Sequence, residues 1–167
     1  MRRSAPCSEV QIPTRALVTC ASRRYIRNMQ YVCDAPGGRT WFSMESQVEA
    51  DAESDLMRHA VAKHFQRAVE SAARSYRPRT GLASIERNIG LKDHIARTAP
   101  IFLTLRDPEG EGLATAMLPR DLSGGAKGAI VVGPNNSDPY VEHADAIAAL
   151  ARHYGVSLPR EACYPYG

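Results

Sequence analysis

The chain has 167 residues, of which 44% are apolar and 23% charged, a composition typical of one globular domain with a substantial core. Its net charge of +3 comes from residues 1–28, which hold six arginines and one acid, Glu9. Of the 21 basic residues in the chain, 15 lie beyond residue 28, as do 17 of the 18 acidic residues. This balance argues against a nucleic-acid-binding surface on the folded part. No apolar run approaches the roughly 20 residues that a membrane-spanning helix needs.

Residues 1–28 differ from the rest of the chain. They contain Pro6 and Pro13 and show neither helical nor strand periodicity, so we predict a disordered or non-native basic tail. Parts of this segment are similar to secretion, lipoprotein or transit signals, but each lacks a required element. A second interpretation is that translation begins at Met29, where strand-like alternation starts. We predict that residues 29–167 form a single domain.

The four cysteines are scattered, without the C-x-x-C pairs or Cys–His spacings that bind zinc: Cys7, Cys20, Cys33 and Cys163. This pattern predicts reduced thiols and a cytoplasmic protein. We predict no metal and no cofactor.

The domain is predicted to begin with a hairpin. Strands over 29–34 and 39–44 flank Ala35-Pro36-Gly37-Gly38, in which Pro followed by Gly indicates a type II turn. Ser46 and Glu49 then form a capping box. An apolar stripe at spacings of four and three predicts one long helix over 46–76, which Pro78 ends. The residues of the stripe are Met57, Val61, Phe65, Ala68, Ala72 and Tyr76.

The second half begins with a weaker helix, predicted over 82–98 and ended by Pro100. Residues 101–118 alternate apolar and polar side chains on both sides of Asp107-Pro108-Glu109-Gly110, which predicts a hairpin with a type I turn. A short strand follows at 129–132. A third helix begins after Asp138-Pro139 and ends at Gly155.

These elements predict an α+β fold. We expect an antiparallel sheet of about five strands (two hairpins plus one strand) packed by about three helices, one of them long. The helices are expected on one face of the sheet, and the other face is then covered by the long helix, the C-terminal tail or a partner.

Several motifs are similar to known sites, but each lacks a required feature. Residues 123–128 are similar to a phosphate-binding loop, but a strand-like run follows Lys127 where a helix is required. His59 and His64 lie five residues apart, whereas zinc-binding pairs on a helix are spaced by three or four. We expect His59 to be exposed and His64 half-buried. Cys163 with His143 or His153 could supply a nucleophile and a base, but no family signature surrounds it.

Four acids begin the long helix and are expected to form a solvated face that complements the helix dipole: Glu49, Asp51, Glu53 and Asp55. The densest polar group lies on the loop over 133–143, where a strand, a turn and a helix N-terminus meet. It is the best candidate for a ligand or partner site, through Asn135, Asn136, Asp138 and His143.

Two functions remain open. The first is a small, non-enzymatic protein-interaction or regulatory domain, with self-association as one form of that interaction, because the long amphipathic helix and the aromatic tail offer contact surface. Its interface residues are predicted to be Phe65, Tyr76, Tyr164 and Tyr166. The alternative is a small-ligand-binding domain or enzyme that uses the 133–143 loop. We predict no membrane association, and nucleic-acid binding through the basic tail is disfavoured.

Overall fold

The structure, a computed structural model, describes residues 29–81, 83–125 and 127–166; the predictions for residues 1–28 lie outside these ranges. Its centre is one antiparallel sheet whose spatial order follows the chain order, each strand pairing with the next. The strands are β1 (Gln30–Ala35), β2 (Arg39–Met44), β3 (Ile101–Arg106), β4 (Gly112–Leu118) and β5 (Ile130–Val132). Both predicted hairpins and the single strand are present, so the α+β fold class is confirmed.

In the described ranges, five helices surround the sheet: α1 (Gln47–Met57), α2 (Val61–Ser75), α3 (Ser84–Thr98), α4 (Tyr140–Tyr154) and α5 (Arg160–Cys163). Two 3₁₀ turns, Pro36–Gly38 and Pro134–Asn136, complete the elements. The short helix α5 was not predicted. No helix among the described residues is long and apolar enough to cross a membrane.

One face of the sheet packs against α4. Leu103 and Leu105 of β3 lie on this face, in one core cluster with Ile147 and Leu150 of α4. The fully buried indole of Trp41 donates a hydrogen bond from Nε1 to the Ala146 carbonyl at 2.9 Å. This bond ties β2 to the middle of α4.

The opposite face packs against α1 and α2. Phe102 of β3 lies on this face and meets Phe65 of α2, with ring centroids 5.1 Å apart. The helices therefore lie on both faces, and the second face is covered by the segment predicted as the long helix, one of the covers expected for it. Because the side chains of a strand alternate between faces, β3 directs Ile101, Leu103 and Leu105 to one face and Phe102, Thr104 and Arg106 to the other, and both sets are covered by helices.

The predicted long helix is broken at residues 58–60. Arg58 ends α1 in the left-handed conformation, with φ 53° and ψ 49°. Ser54 stabilises the break, because its carbonyl accepts the His59 N–H at 3.3 Å and its hydroxyl accepts the Ala62 N–H of α2 at 2.8 Å. These bonds satisfy groups that helix ends leave open. No Gly or Pro marks the break, so the apolar stripe alone predicted continuity.

The turns follow local chemistry closely. In the β3–β4 hairpin, the Gly110 N–H donates to the Asp107 carbonyl at 3.0 Å, and Gly110 has φ +92°. Gly155 ends α4 with φ +66°, as predicted. In the first hairpin, Gly37 follows Pro36 with φ 75° and ψ 24°, close to the values that the predicted type II turn requires at its third residue.

Helix α3 is the least integrated element. It contributes no buried residue, and it exposes 73% of Ile85 and 56% of Ile89. Its C-terminal end leads directly into β3 through the buried Ala99. The predicted span of this helix agrees with the structure to within two residues.

Candidate functional site

A buried polar network lies between α1 and the sheet. Glu53 is fully buried, and its Oε1 accepts hydrogen bonds from the Thr104 hydroxyl at 2.7 Å and the Thr115 hydroxyl at 3.0 Å. Its Oε2 accepts from the guanidinium of Arg106, which is also buried, so the two form an ion pair. The Arg106 Nε has no partner among the described residues. Such a network is costly to bury unless its charges compensate one another.

Strand and helix periodicity bring these groups together. Thr104 and Arg106 alternate with buried leucines and therefore face α1, and Thr104 pairs directly with Thr115 across the β3–β4 ladder. Glu49 and Glu53, one helical turn apart, both point inward and are buried. The expectation of a solvated acidic face was wrong for these two residues, whereas Asp51 and Asp55 are exposed.

His59 extends the network beyond the end of α1. Its Nε2 lies 2.9 Å from the Thr115 Oγ1. Because Thr115 gives its single proton to Glu53, the Nε2 of His59 must carry the proton in this bond. The buried Nδ1 has no partner among the described residues. Burial lowers the pKa of His59 below its ordinary value of 6.5, so the ring is neutral at neutral pH.

The positions expected for the two helix histidines were therefore reversed. His59 is partly buried and hydrogen-bonded, whereas His64 is exposed. The broken helix explains the reversal, because the left-handed Arg58 changes the direction of the chain and turns His59 towards β4.

A cavity of about 220 Å³ adjoins the network. Seven of its lining residues are apolar: Ala60, Val61, Phe102, Met117, Ile130, Val132 and Pro165. The polar ones are His59, His64, Thr115, Asn136 and Tyr166. No Asp, Glu, Lys or Arg is among these residues, so the cavity wall carries no fixed charge.

Unusual backbone conformations border this cavity. Among the described residues, three non-glycine residues have positive φ: Arg58 at 53°, Asn135 at 55° and Asn136 at 59°. Arg58 directly precedes His59, and Asn136 itself lines the cavity. Non-glycine residues in this region cost free energy and cluster at functional sites. One left-handed residue, Asn136, thus lies in the cavity wall, and another, Arg58, directly precedes the lining residue His59.

The C-terminal segment closes one side of the cavity. The Tyr164 hydroxyl donates to the Asn136 carbonyl at 3.1 Å, and the Tyr164 and Tyr166 rings meet edge to face with centroids 5.9 Å apart. Arg160 pairs with Asp138 and lies 5.4 Å from the centre of the Tyr164 ring. These contacts hold the segment next to the 3₁₀ turn that carries Asn136.

The four predicted loop residues do not converge on one site. Asn136 lines the cavity, whereas Asn135 is exposed. Asp138 accepts the Tyr140 N–H at the start of α4 and pairs with Arg160, which lowers the pKa of its carboxyl against the raising effect of burial. His143 faces Arg39 on another side of the loop.

Asp138 and His143 border a separate depression of about 320 Å³. The Nδ1 of His143 lies 3.2 Å from the Arg39 Nη1, and Arg39 also pairs with Asp145 at 2.6 Å. Since a guanidinium only donates, Nδ1 accepts in this contact. Within α4 itself, His143 departs from helical geometry with φ −127°. These contacts join β2 to α4, which is a structural role.

The predicted interface residues also separate. Phe65 is buried against Phe102 inside the domain. Tyr76 packs against His94 of α3, with ring centroids 5.4 Å apart. Tyr164 and Tyr166 belong to the C-terminal segment beside the cavity. Whether any of them contacts a partner stays a prediction.

Sequence reasoning missed the network itself. One signal was present, because Phe102, Thr104 and Arg106 share one face of a strand whose other face is fully apolar. A strand with polar side chains facing a helix needs a polar partner, and α1 carries the acids. Among the described residues, no group of three or more His, Cys, Asp or Glu side chains is placed to hold a metal ion. No family model, curated protein or solved structure matches this chain.

Proposed function

We propose that the domain binds a small neutral molecule in the cavity beside His59. The observation that carries this proposal is that one cavity is lined both by His59 and Thr115, the end of the buried polar network, and by the left-handed Asn136. Ligand sites typically combine an apolar wall with a few placed polar groups. At about 220 Å³ the cavity suits a molecule about the size of one aromatic ring with a short substituent.

The neutral character of the ligand follows from the charges around the cavity. The Glu53 carboxylate is compensated by Arg106 and by two hydroxyl donors, and burial keeps His59 neutral. A charged ligand would lose its hydration without gaining a counter-charge from the wall, which is unfavourable. Asn136, with a donor and an acceptor on its side chain, and the Tyr166 hydroxyl are the groups available to orient a neutral ligand.

The geometry of His59 favours binding over catalysis. Its Nε2 is engaged by Thr115, and its Nδ1 is enclosed by the protein. A general base must reach the proton that it removes. We therefore assign His59 a positioning role, in which the ring holds the α1–α2 break against β4.

The charge of the ligand can be tested with three probes of similar shape: benzyl alcohol, benzoate and benzylammonium. We expect saturable binding of benzyl alcohol in an amide-resolved NMR titration, with shifts centred on Thr115, Ile130 and Asn136. The two ions are expected to bind at least about tenfold more weakly. Preferential binding of either ion, or shifts centred elsewhere, would contradict the proposal.

A second candidate function is self-association through α3, and one observation favours it. Helix α3 displays Ile85 and Ile89 to solvent and contributes no buried residue to the domain. A second copy of the chain could cover both isoleucines by packing α3 against α3. This candidate keeps the predicted interaction role but moves it from Phe65 and Tyr76 to α3.

We further propose that the protein works in the reducing environment of the cytoplasm. Both cysteines of the described residues, Cys33 and Cys163, are free thiols, and burial raises the pKa of each. A raised pKa keeps a thiol protonated and unreactive.

A further inference from the structure

A second concave surface, larger than the His59 cavity, lies at the end of the sheet beside α3. This groove encloses about 810 Å³ and lies among α2, α3, the start of β1 and the C-terminal end of α4. Only Phe102 lines both the groove and the His59 cavity. The two sites can therefore be altered independently.

Much of the groove wall is apolar. Phe65 and Val69 of α2 line it together with Ile95 of α3 and Ile101 of β3. Tyr154 of α4 adds a half-buried ring, whose pKa is raised by burial while the Arg120 guanidinium acts in the opposite direction. An apolar wall of this kind can bury a hydrocarbon chain, which is favourable because apolar surface is removed from water.

The rim of the groove carries two cations without ion-pair partners among the described residues. They are Arg120, just beyond β4, and Lys92 on α3. Arg120 is held in place, because its Nε donates to the Ala99 carbonyl at 3.1 Å. Its two terminal nitrogens have no hydrogen-bond partner in the part of the chain that the structure describes, and they form a fork that matches a carboxylate. Glu45 is the one acid among the lining residues, and His153 lines the groove as well. The two cations therefore leave a net positive charge at the groove.

We propose that this groove binds a single-chain anionic amphiphile, with the hydrocarbon chain along the apolar wall and the carboxylate on Arg120. Charge complementarity selects this occupant, since an apolar chain alone would not need the two unpaired cations. Lys92 of α3 lies seven residues before Ala99, whose carbonyl holds Arg120. This is about two helical turns, or roughly 10 Å along the axis. Lys92 adds positive potential over the apolar wall and attracts the anion.

The test is a calorimetric titration of the full chain with decanoate, kept below its micelle concentration, and with decanol as the uncharged control. We expect saturable binding of decanoate and at least about tenfold weaker binding of decanol. Arg120→Gln should weaken decanoate binding by about tenfold, and Arg120→Lys should restore part of it. Lys63→Gln, which removes an exposed lysine outside the groove, should leave the affinity unchanged.

Three results would overturn this proposal: no saturable binding of decanoate, equal affinity for decanoate and decanol, or an affinity unaffected by Arg120→Gln. The site is located by NMR, where we expect amide shifts at Val69, Ile95 and Ala96. Shifts confined to Thr115, Ile130 and Asn136 would place decanoate in the His59 cavity and would also overturn the proposal. None of these results decides the benzyl alcohol test, because that test concerns the His59 cavity and a neutral probe.

Discussion

The carboxylate of Glu53, in the middle of α1, forms a fully buried ion pair with the guanidinium of Arg106 at the end of β3. The two residues are 53 positions apart in the chain. Their contact fixes where α1 sits on the sheet and therefore where the chain turns at Arg58 to deliver His59 to the cavity. The pair is the link between the fold and the proposed site.

Removal of one partner of this pair should be strongly destabilising. Arg106→Met leaves the Glu53 carboxylate buried without a counter-charge, so we expect the free energy of unfolding to fall by about 3–5 kcal/mol. Urea denaturation measures this change. The double variant Glu53→Gln with Arg106→Met should be more stable than Arg106→Met alone, because no charge is then buried. Equal stability of the two variants would contradict this account, because it would show that the unpaired Glu53 carboxylate carries no burial cost.

The stability of the protein should depend on the protonation of His59. Burial lowers the folded-state pKa below 6.5, so the unfolded chain takes up the proton first as the pH falls. Stability is therefore unaffected by His59 well above pH 6.5 and decreases as the pH falls through 6.5 towards the folded-state pKa. His59→Gln should flatten this part of the profile of unfolding free energy against pH.

The matched control for His59 is His153→Gln, since His153 is exposed. We expect that variant to keep the wild-type slope between pH 7 and pH 5. An identical slope in the His59→Gln variant would mean that His59 is not held neutral by its surroundings.

Gly110 should be required at the β3–β4 turn. Its φ of +92° is strained for any residue with a Cβ, so Gly110→Val should destabilise the protein by about 1–2 kcal/mol. Gly124→Val is the matched control, because no atom lies within 4 Å of a Cβ built at Gly124. Thermal unfolding of both variants checks the prediction, which fails if the two melting temperatures fall equally.

Self-association, if it occurs, should depend on α3. Light scattering over a range of concentrations would then show a mass above the 18.3 kDa of one chain, and Ile89→Asp should return it to that value. Val141→Asp is the control, since Val141 is an 81% exposed apolar residue on α4. Phe65→Asp cannot serve this purpose, because Phe65 is buried and the variant would unfold the domain. If the wild-type protein has the mass of one chain at all concentrations, self-association is excluded.

Local chemistry was enough to predict much of the fold. The hairpin at Asp107–Gly110, the capping box of Ser46 and the end of α4 at Gly155 each depend on residues a few positions apart. The broken helix could not be predicted in this way. The apolar stripe continues across the break. The break depends on Ser54, whose hydroxyl caps α2 by accepting the N–H of Ala62, eight residues later.

The candidate site was harder to predict for the same reason. The burial of Glu53 depends on Thr104, Thr115 and Arg106, which are more than 50 residues away. Without these partners, an acid in the first turns of a helix is expected to face water. Asn136 was identified because turn chemistry is local, but the cavity that it lines also requires β4, β5 and the C-terminal segment.

The most direct test of the ligand-binding proposal compares two neighbouring asparagines. Asn135 and Asn136 both have positive φ, but only Asn136 lines the cavity, so replacement by glycine removes each side chain without backbone strain. In a titration with benzyl alcohol, Asn136→Gly should weaken binding by about two- to tenfold and Asn135→Gly should leave it unchanged. Equal affinities in both variants and the wild type, or no binding of benzyl alcohol to any of them, would contradict the proposal.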